Sequence, residues 1–476
     1  MSLVEPVTVA RRSVDQLAPV IGEERHERLM RAAAQFRRRL DDRRVWNVSS
    51  TAVGGGVAEM LQTLLGYVED AGIASRWMVI TADAEFFVLT KRLHNQIHGR
   101  AAGGPLSAAE IGHYERMLAA NAAELLDLIR PGDLVLLHDP QTAGLAESLT
   151  RAGALVAWRC HIGVGWENEA TAGAWKMLRP YLAHARGFVF SRREYVPGWI
   201  PGDKVAIIPP SIDPFSPKNQ YLDEYTVQGI LAQIGLLDGA AGGGPVAYRG
   251  RDGNPASVTR TAEITAENLP GPQDPLVIQV SRWDELKDMP GVMHGFADYV
   301  APAGLGYLLL VGPAVAGVTD DPEGAAVFAD CLLQWRALPP AVRSRVLLVT
   351  LPLDDPDENG AMVNALQRRA SVIAQKSLAE GFGLTVAEGM WKGRPVVGSA
   401  VGGIIDQIPA GAGVLLPDPR DLETFGTAVL RLLDEPDVAD RMGATAQAYI
   451  TQHYVGDLHL LRYERLFSTL IGARHE

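Results

Sequence analysis

Residues 375–403, QKSLAEGFGLTVAEGMWKGRPVVGSAVGG, join a short apolar strand to a helix that we expect to begin near Thr385. Two carboxylates in this stretch, Glu380 and Glu388, stand eight residues apart with two glycines between them. Glycine leaves backbone amides accessible, and a helix N-terminus adds free N–H donors and the positive end of the helix dipole. We therefore predict an anion site at the helix start, with Glu380 before the helix and Glu388 in its first turn, where both accept hydrogen bonds from hydroxyls. A capping acid and a solvated helix glutamate would give the same spacing, so the rest of the chain must decide between them.

The composition indicates a globular chain of two domains. It has 476 residues, 47% of them hydrophobic, and a net charge of −12, which argues against a nucleic-acid-binding protein. Cys160 and Cys331 are too few for a disulfide framework, so we expect two buried, reduced thiols. The N-terminus does not look like a signal peptide, and no apolar run is long enough to span a membrane. We expect a soluble cytoplasmic protein.

Apolar strands that end in polar residues alternate with helical segments in the first half of the chain. This alternation predicts a parallel sheet, and ligands of such sheets bind beyond the carboxyl ends of the strands. His138, Asp139, His161 and Ser191 fall at such ends. A histidine at a strand end is as often a structural hydrogen-bonding group as a functional one, so both interpretations stay open here.

A glycine triplet, residues 54–56, follows the short strand 45–48 and precedes an apolar-spaced helix. Strand, glycines and helix in this order are typical of a phosphate-binding loop, although this one matches neither the dinucleotide fingerprint nor the lysine-containing nucleotide loop. A tight strand-to-helix turn is the alternative.

In the second half, the strand 276–280 leads into a loop that carries Arg282 and Lys287. Two cations five residues apart after a buried strand can converge on one diphosphate, although ordinary surface cations would give the same pattern. The chain has seven lysines, so Lys287 does not belong to a lysine-rich surface. Before this strand, residues 235–274 lose all periodicity and are rich in Gly and Pro, which predicts a flexible polar insertion.

Eight motifs follow one another along the chain. They are NVSSTAVGGGVAEML (47–61), HDPQ (138–141), WRCHI (158–162), FSRREYV (190–196), PPSIDPFSPKN (209–219), QVSRWD (279–284), DDPEG (320–324) and the long run from 364 to 404 that contains the opening stretch. Taken together and in this order, they resemble the motifs of retaining glycosyltransferases of the trehalose synthase (glycosyltransferring) type, a glycosyltransferase family 4-like group in the GT-B class. The resemblance covers most of residues 45–460.

The resemblance implies an α/β fold of the GT-B class, with two Rossmann-like domains facing across a cleft. We expect an acceptor-binding domain over 1–215, on which a C-terminal helix at 456–476 packs back, and a donor-binding domain over 216–455 that contains the insertion at 235–274. The implied partners are a nucleotide sugar and a small sugar acceptor, with neither nucleic acid nor membrane. The oligomeric state stays open, and a homodimer is one alternative.

The resemblance also assigns residues on the donor side. It places Glu388 on the nucleotide ribose, and Arg282 and Lys287 on the leaving diphosphate. Glu380 would hold the donor sugar with the backbone around Gly381, Phe382, Gly383 and Leu384. Gly55 and Gly56 would lie beneath the phosphate.

On the acceptor side, the resemblance places His161 beside the anomeric carbon and gives the acceptor contacts to His138, Asp139 and Gln141. Asp321 and Glu323 match the family pattern without an assigned role. The chain departs from that pattern at Ala52-Val53, at Glu285-Leu286 and in the insertion, which bears on sugar and base selectivity rather than on the reaction class.

The implied reaction moves glucose from a nucleoside-diphosphate glucose to a sugar acceptor with retention of configuration, and glucose as acceptor would give trehalose. No metal and no cofactor are required, because the two cations neutralise the departing phosphate. One alternative is a retaining trehalose phosphorylase on the same scaffold, which has no use for a ribose-binding Glu388. A dinucleotide-binding oxidoreductase or nucleotide sensor is another, and the missing fingerprint disfavours it. The sequence names neither the base, the acceptor nor the physiological direction.

Overall fold

The computed structural model describes residues 3–52, 55–101, 103–237, 246–314 and 322–472. Val53, Gly54, Asp321, residues 238–245 and the last four residues of the predicted helix 456–476 lie outside the described residues. The chain forms two compact units: Met1–Ser211 with Val455–Glu476, and Ile212–Tyr454. The first unit therefore ends four residues before the predicted boundary at 215.

The first unit is built on a seven-stranded sheet whose central strands are buried along their whole length. Burial on both faces is typical of parallel sheets covered by helices, and it explains the continuous apolar runs in the sequence. The strand order is β1-β3-β2-β4-β5-β6-β7, parallel except for the edge strand β1. The strands are β1 (Val4–Pro6), β2 (Val45–Ser49), β3 (Ser75–Ile80), β4 (Leu134–His138), β5 (Leu155–Cys160), β6 (Gly187–Phe190) and β7 (Val205–Ile207).

Helices cover this sheet, and two of them begin with a reciprocal capping box. In one, Ser107 and Glu110 satisfy each other's backbone amides, and in the other Asn168 and Thr171 do so. These caps fix where the helices start. The helices are α1 (Ala18–Ile21), α2 (Glu23–Leu40), α3 (Gly55–Asp70), α4 (Ala84–Ile97), α5 (Ala108–Leu128), α6 (Asp139–Thr142), α7 (Ala146–Arg151) and α8 (Glu169–Leu182).

The second unit repeats this plan with another seven-stranded sheet. Its order is β10-β13-β12-β11-β14-β15-β16, parallel except for the edge strand β10. A separate two-stranded ribbon is formed by β8 and β9. The strands are β8 (Val246–Arg249), β9 (Pro255–Val258), β10 (Glu263–Thr265), β11 (Leu276–Val280), β12 (Tyr307–Pro313), β13 (Val346–Leu351), β14 (Val372–Gln375), β15 (Val396–Ser399) and β16 (Gly413–Leu416).

The helices of the second unit fill both faces of its sheet. They are α9 (Glu224–Gln233), α10 (Met289–Tyr299), α11 (Pro322–Ala337), α12 (Pro340–Arg343), α13 (Pro356–Arg369), α14 (Leu384–Trp391), α15 (Ile404–Gln407), α16 (Leu422–Asp434) and α17 (Pro436–His453). The chain then returns to the first unit as α18 (Gly456–Gly472), which packs on α2. Arg25 pairs with the buried Asp457 at 2.7 Å, and the rings of Phe36 and Phe467 stack at 6.2 Å. The predicted α/β class with two Rossmann-like domains is confirmed.

Each sheet has one point at which the strand order reverses. In the first unit, β3 lies on one side of β2 and β4 lies on the other side. In the second unit, β12 and β14 lie on opposite sides of β11 in the same way. Loops that diverge from two adjacent parallel strands leave a crevice at their carboxyl ends, where open α/β sheets bind ligands. The structure therefore has two candidate ligand crevices, one in each unit.

The prediction of a flexible insertion at 235–274 is wrong for residues 246–274. Strands β8, β9 and β10 form there, and Tyr248 and Val258 are buried in the hydrophobic core. Two ion pairs tie the segment to α13: Arg251 with Asp357 at 2.9 Å, and Arg260 with the buried Glu358. The strands are three or four residues long and polar on one side, so their pattern is too short for a sequence signal.

Both cysteines are free and buried, as predicted. Among the described residues, no helix is long and apolar enough to cross a membrane.

Candidate active site

An ion pair lies at the crevice of the second unit. Lys287, in a 3₁₀ turn after β11, places its Nζ 2.5 Å from Oε2 of Glu380, which follows β14. Both side chains are less than a fifth exposed. The amide of Leu378 donates to the carbonyl of Leu286 at 2.8 Å, so the two loops also meet through their backbones. The structure thus brings together two residues that the sequence placed 93 positions apart.

Gln279 holds the two loops in register from below. This buried side chain donates from Nε2 to the carbonyl of Lys287 at 2.7 Å, and its Oε1 accepts from the amide of Lys376 at 3.1 Å. Each hydrogen bond reaches one loop of the crevice, so the amide group sets the distance between them. A polar residue inside an otherwise apolar strand is the sequence signal for this function, although Gln279 was not among the predicted site residues.

A second ion pair, also missed, joins Lys376 to Asp288. Lys376 is fully buried, and a buried lysine needs a carboxylate partner to stay charged at neutral pH. Asp288 has φ of 49°, a left-handed conformation that is rare outside glycine, and its carboxylate caps α10 through the amide of Gly291 at 3.2 Å. A Cβ at Gly291 would lie 2.2 Å from that carboxylate, so glycine is required there.

Arg282, the other predicted diphosphate ligand, sits on the outside of the same loop. Its side chain is 63% exposed and pairs with Asp284 at 3.2 Å. The carboxylate of Asp284 also accepts from the amide of Leu286 at 2.8 Å, which shapes the turn that carries Lys287. The long side chain of Arg282 therefore extends into solvent, whereas the side chain of Lys287 already lies in the crevice beside Glu380.

Helix α14 begins at Leu384, one residue before the predicted start, with Gly383 as its N-cap at φ of 89°. The amide of Gly403 donates to the carbonyl of Gly381 at 3.2 Å, and a Cβ on Gly403 would approach the backbone of Phe382 to 2.7 Å. Two glycine loops thus pack backbone on backbone beside this helix start. Free amides at a helix N-terminus with bare glycine backbone are suited to a phosphate.

The sequence predicted Glu388 in the first turn of α14, and this prediction is wrong. Glu388 is the fifth residue of the helix, because the helix begins at Leu384. Glu388 is 4% exposed, and its Oε1 lies 3.7 Å from Nζ of Lys218. Its Oε2 is buried and accepts no hydrogen bond from the described part of the chain. Leaving a buried acceptor oxygen unsatisfied costs about 1–3 kcal/mol, so this atom calls for a donor from outside the protein.

Lys392, one turn below Glu388, is a buried cation that the sequence analysis also missed. Its Nζ donates to Oδ1 of Asn219 at 3.0 Å and to the carbonyl of Glu388 at 3.2 Å. Burial lowers the pKa of Lys392 to about 7, while the neighbouring Glu388 raises it. A lysine that titrates near neutrality beneath Glu388 makes the charge around this carboxylate depend on pH.

The loop 217–220, which carries Lys218, is held rigidly against α13 and α14. Asn364 and Arg368 donate to its carbonyl oxygens at 2.8–3.0 Å, and Nε1 of Trp391 does so at 3.0 Å. Such anchoring fixes the backbone that carries Lys218 beside Glu388, so little backbone entropy is lost on binding.

Four side chains form a hydrogen-bonded relay at the crevice of the first unit. Arg159 donates from Nε to Nδ1 of His161 at 3.1 Å. Nε2 of His161 lies 3.0 Å from Nδ1 of His138, and Nε2 of His138 lies 3.2 Å from Oδ1 of Asn47. A guanidinium only donates, so Nδ1 of His161 accepts, and a neutral His161 must donate from Nε2. Nδ1 of His138 accepts this hydrogen bond, so a neutral His138 must donate from Nε2 to Oδ1 of Asn47. The tautomers of both imidazoles are therefore fixed.

The electrostatics of this relay favour neutral imidazoles. Burial and, to a smaller extent, the charge of Arg159 lower the pKa of His138 to about 3. Burial and the same guanidinium hold the pKa of His161 well below its usual range. A proton added to either ring would face a fixed, buried positive charge.

Asp139 lies beside the relay in a strained conformation. Its φ is 63°, and it is held there because its carbonyl accepts from Nε1 of Trp158 at 2.9 Å and its Oδ1 from the amide of His161 at 2.8 Å. Burial raises the pKa of Asp139 to about 7, against the opposing effects of that amide and of Arg159. Asp139 and Asp288 are two of the three non-glycine residues with positive φ in the described ranges, and each lies at a crevice. Strain of this kind concentrates at functional sites.

The remaining predicted residues of the first unit lie near the same sheet edge or at the start of α3. Gln141 is in the short α6 after β4, and its buried Oε1 accepts no hydrogen bond from the described residues. Gly55 and Gly56 are the first two residues of α3, and Gly56 is exposed. These positions agree with a ligand at the carboxyl edge of the sheet, while the specific roles stay predictions.

Arg159 connects the relay to the last helix of the chain. The guanidinium is fully buried and contacts the hydroxyl of Tyr463, Nε2 of His459 at 3.4 Å and the carbonyl of Ile208 at 3.2 Å. The sequence signal for this contact is an arginine inside an apolar strand, in the motif WRCHI. Arg159 was not among the predicted site residues. No group of three His, Cys, Asp or Glu side chains that could hold a metal ion occurs among the described residues.

Two protein families match separate parts of the chain. Residues 47–197 match the family described as "Trehalose synthase, N-terminal domain", and residues 357–449 match "Glycosyl transferases group 1". The trehalose synthase of Pyrococcus horikoshii is 32% identical over 472 residues, which cover 98% of this chain and 99% of that protein. A trehalose phosphorylase from Grifola frondosa is 23% identical, over 85% of this chain and 54% of its own.

Among solved structures, a UDP-forming α,α-trehalose-phosphate synthase from Burkholderia vietnamiensis superposes with a TM-score of 0.66 at 15% identity, covering 91% of this chain and 98% of that one. At this identity the likeness shows the fold, which is GT-B. With a full-length relative above 30% identity, the chain belongs to the trehalose synthase family of glycosyltransferases.

Proposed function

We propose that this protein transfers a glucosyl group from a nucleoside-diphosphate glucose to glucose, with retention at the anomeric carbon, and so forms trehalose. Membership of the trehalose synthase family supports the sugar chemistry. The "UDP-forming" description of the Burkholderia vietnamiensis enzyme supports a nucleoside-diphosphate donor for the same fold. No cofactor and no metal take part in the proposed reaction.

The observation that carries the proposal is the buried Oε2 of Glu388, which accepts no hydrogen bond from the described residues. A ribose supplies hydroxyl donors to such an oxygen, whereas inorganic phosphate, the co-substrate of a phosphorylase, has no ribose. Lys218, fixed 3.7 Å from Oε1 of the same residue, contacts the nucleoside from the other side. The nucleoside-diphosphate donor is therefore favoured over the phosphorylase alternative.

The diphosphate lies between the Lys287 loop and the start of α14. Lys287 is already neutralised by Glu380 at 2.5 Å, so a phosphate must share the ammonium with that carboxylate. A hexose attached to the diphosphate offers hydroxyl donors to Glu380. These hydrogen bonds compensate Glu380 for the part of its interaction with Lys287 that the phosphate takes over. We infer that Glu380 and Lys287 distinguish an intact donor from a bare anion, with Arg282 joining when the diphosphate is bound.

The acceptor lies at the relay of the first unit. Asp139 accepts a hydroxyl hydrogen bond, and His161 contacts the donor sugar near the anomeric carbon. Both ring nitrogens of His161 are already engaged, so a sugar hydroxyl must replace His138 as its partner. Gln141, with its unsatisfied Oε1, accepts a further hydroxyl.

The reaction balances without a protein nucleophile. The bond from the anomeric carbon to the diphosphate oxygen breaks, the acceptor oxygen forms the new bond on the same face, and its proton passes to the departing phosphate oxygen. Charge builds up on that phosphate in the transition state, where Lys287, Arg282 and the amides of α14 stabilise it. Fixed donors of this kind contribute about 10²–10³ in rate each.

The experiment is a product assay by ¹H NMR with UDP-, ADP- or GDP-glucose and unlabelled glucose. The expected result is a symmetric α,α-linked disaccharide and one nucleoside diphosphate per turnover. A β,β-linked product would contradict retention, because its donor-derived ring would have changed configuration. Glucose 1-phosphate formed from trehalose and inorganic phosphate, with no turnover of any nucleotide sugar, would establish the phosphorylase instead.

A further inference from the structure

A deep groove runs along one face of α8 in the first unit, and none of its lining residues belongs to the relay. Its volume is about 700 Å³, within the usual range of ligand pockets. The walls are the face of α8 that carries Trp175, Lys176 and Arg179, the loop 164–167 after β5, and the loop 194–199 after β6.

Three tryptophans line this groove, and each packs against neighbouring residues. Trp166 is 58% exposed, yet its ring lies so close over Gly99 that a Cβ there would be 2.3 Å from it. Gly99 has φ of 78°, and its carbonyl accepts from Asn168 at 2.8 Å, so the seat of this ring is itself fixed. An exposed indole on a bare backbone surface is a ready-made flat platform.

The other two indoles are anchored in the core. Trp175 makes edge contacts with Trp158 and Phe190 at 6.3 and 6.5 Å between ring centroids. Trp199 contacts Phe188 edge-on at 6.1 Å, and the guanidinium of Arg179 lies 5.7 Å from its ring centroid. Aromatic surfaces that are already immobile lose little entropy when a ligand binds.

The formal charges of the four charged residues that line the groove sum to zero. Glu167 and Glu194 balance Lys176 and Arg179, and Glu194 is paired with Arg192 at 3.5 Å. Within the described ranges, Glu167, Lys176 and Arg179 make no ion pair. The groove therefore offers flat apolar faces together with both donors and acceptors, and it has no net charge to select an anion or a cation.

We propose that this groove binds a neutral oligosaccharide of two or more hexose units. A pyranose ring has an apolar C–H face, which stacks on an indole, and a rim of hydroxyls that both donate and accept hydrogen bonds. The rigid tryptophans match the first property, and Glu167, Lys176 and Arg179 match the second. The proposal does not depend on the donor, the acceptor or the direction of the reaction in the active site.

The test is isothermal titration of the full-length protein with maltotriose, cellotriose and glucose. The expected result is saturable binding of at least one trisaccharide, with weaker binding of glucose, because one ring covers only one platform. Trp166→Ala lowers the trisaccharide affinity at least tenfold, and Lys176→Met lowers it severalfold. Tyr225→Ala, which removes an aromatic side chain that is 85% exposed on α9 of the second unit, leaves the affinity unchanged.

Three results would overturn the proposal. One is the absence of saturable binding of either trisaccharide to the wild-type protein. Another is binding that survives Trp166→Ala but is lost in Gln141→Ala, which would place the sugar at the proposed acceptor residues of the active site. The third is a change of oligomeric state in Trp166→Ala by light scattering, which would make the groove an interface with a second copy. Because the readout is binding rather than turnover, failure here is distinct from failure of the proposed reaction.

Discussion

Acidification should destabilise the first unit through its buried histidines. The folded pKa of His138 is about 3, against an ordinary value of 6.5, and those of His161 and His459 are also well below that value. Each ring is neutral when folded, while the unfolded chain takes up a proton on each below about pH 6.5. The stability is therefore complete above that pH and is lost as the pH falls.

Asp139 acts in the opposite direction. Its folded pKa of about 7 lies above its ordinary value of 3.8. Between these two pH values the folded state holds a proton that the unfolded state has already released. Its stabilising contribution is complete below the ordinary pKa and is lost as the pH rises through 7. From pH 7 to pH 5.5 three histidines cost about 1.2 kcal/mol each and Asp139 returns about 1.6 kcal/mol, which leaves a net loss of about 2 kcal/mol.

The assay is urea unfolding followed by tryptophan fluorescence, since six of the nine tryptophans lie in the first unit. The free energy of unfolding should fall by about 2 kcal/mol between these pH values, and His459→Gln should reduce that loss to about 1 kcal/mol, because one proton is removed from the balance. A free energy that is flat or that increases on acidification would show that the histidines are not held neutral, and would refute the fixed tautomers of the relay.

Three other predictions address the two crevices. Lys287→Ala and Arg282→Ala should each lower kcat by about 10²–10³ in the NMR assay, and an effect below about threefold would reduce them to surface cations. Tyr463→Phe should cost the first unit about 1.5–3 kcal/mol, because a hydrogen bond to a charged group is lost, while the ¹⁵N shifts of His161 keep the same tautomer; a changed tautomer would contradict the dominance of Arg159. The folded pKa of Lys392 near 7 means that the unfolded chain holds the extra proton up to about pH 10.5, so stability should rise by about 2 kcal/mol from pH 7 to pH 9, and Lys392→Met should abolish that rise. A rise that persists in the variant would come from other groups.

Much of the fold could be predicted because parallel strands buried on both faces leave continuous apolar runs. The runs at β4, β5, β11 and β14 are of this kind, and their polar ends located both crevices. The edge strands β1 and β10 could not be predicted, because three residues carry no usable periodicity.

The site was only partly readable for a related reason. Lys287 and Glu380 stood out as charged residues in loops after buried strands, whereas the groups that position the histidines and the carboxylates lie within or at the end of helices and strands. Asn47 and Arg159 interrupt buried strands, and Lys392 lies just after α14. A buried polar residue reveals its function only through its partner, and the partner of Arg159 on α18 is some 300 residues away.

The central claim is that a nucleoside diphosphate binds in the second unit between the Lys287 loop and α14, with its ribose on Glu388. Isothermal titration with UDP, ADP and GDP tests it directly. We expect at least one of them to bind to the wild-type protein, with an affinity at least tenfold lower in Glu388→Gln because a ribose hydroxyl loses a charged acceptor. Equal affinity in the wild type and in Glu388→Gln, or no binding of any of the three, would contradict the claim.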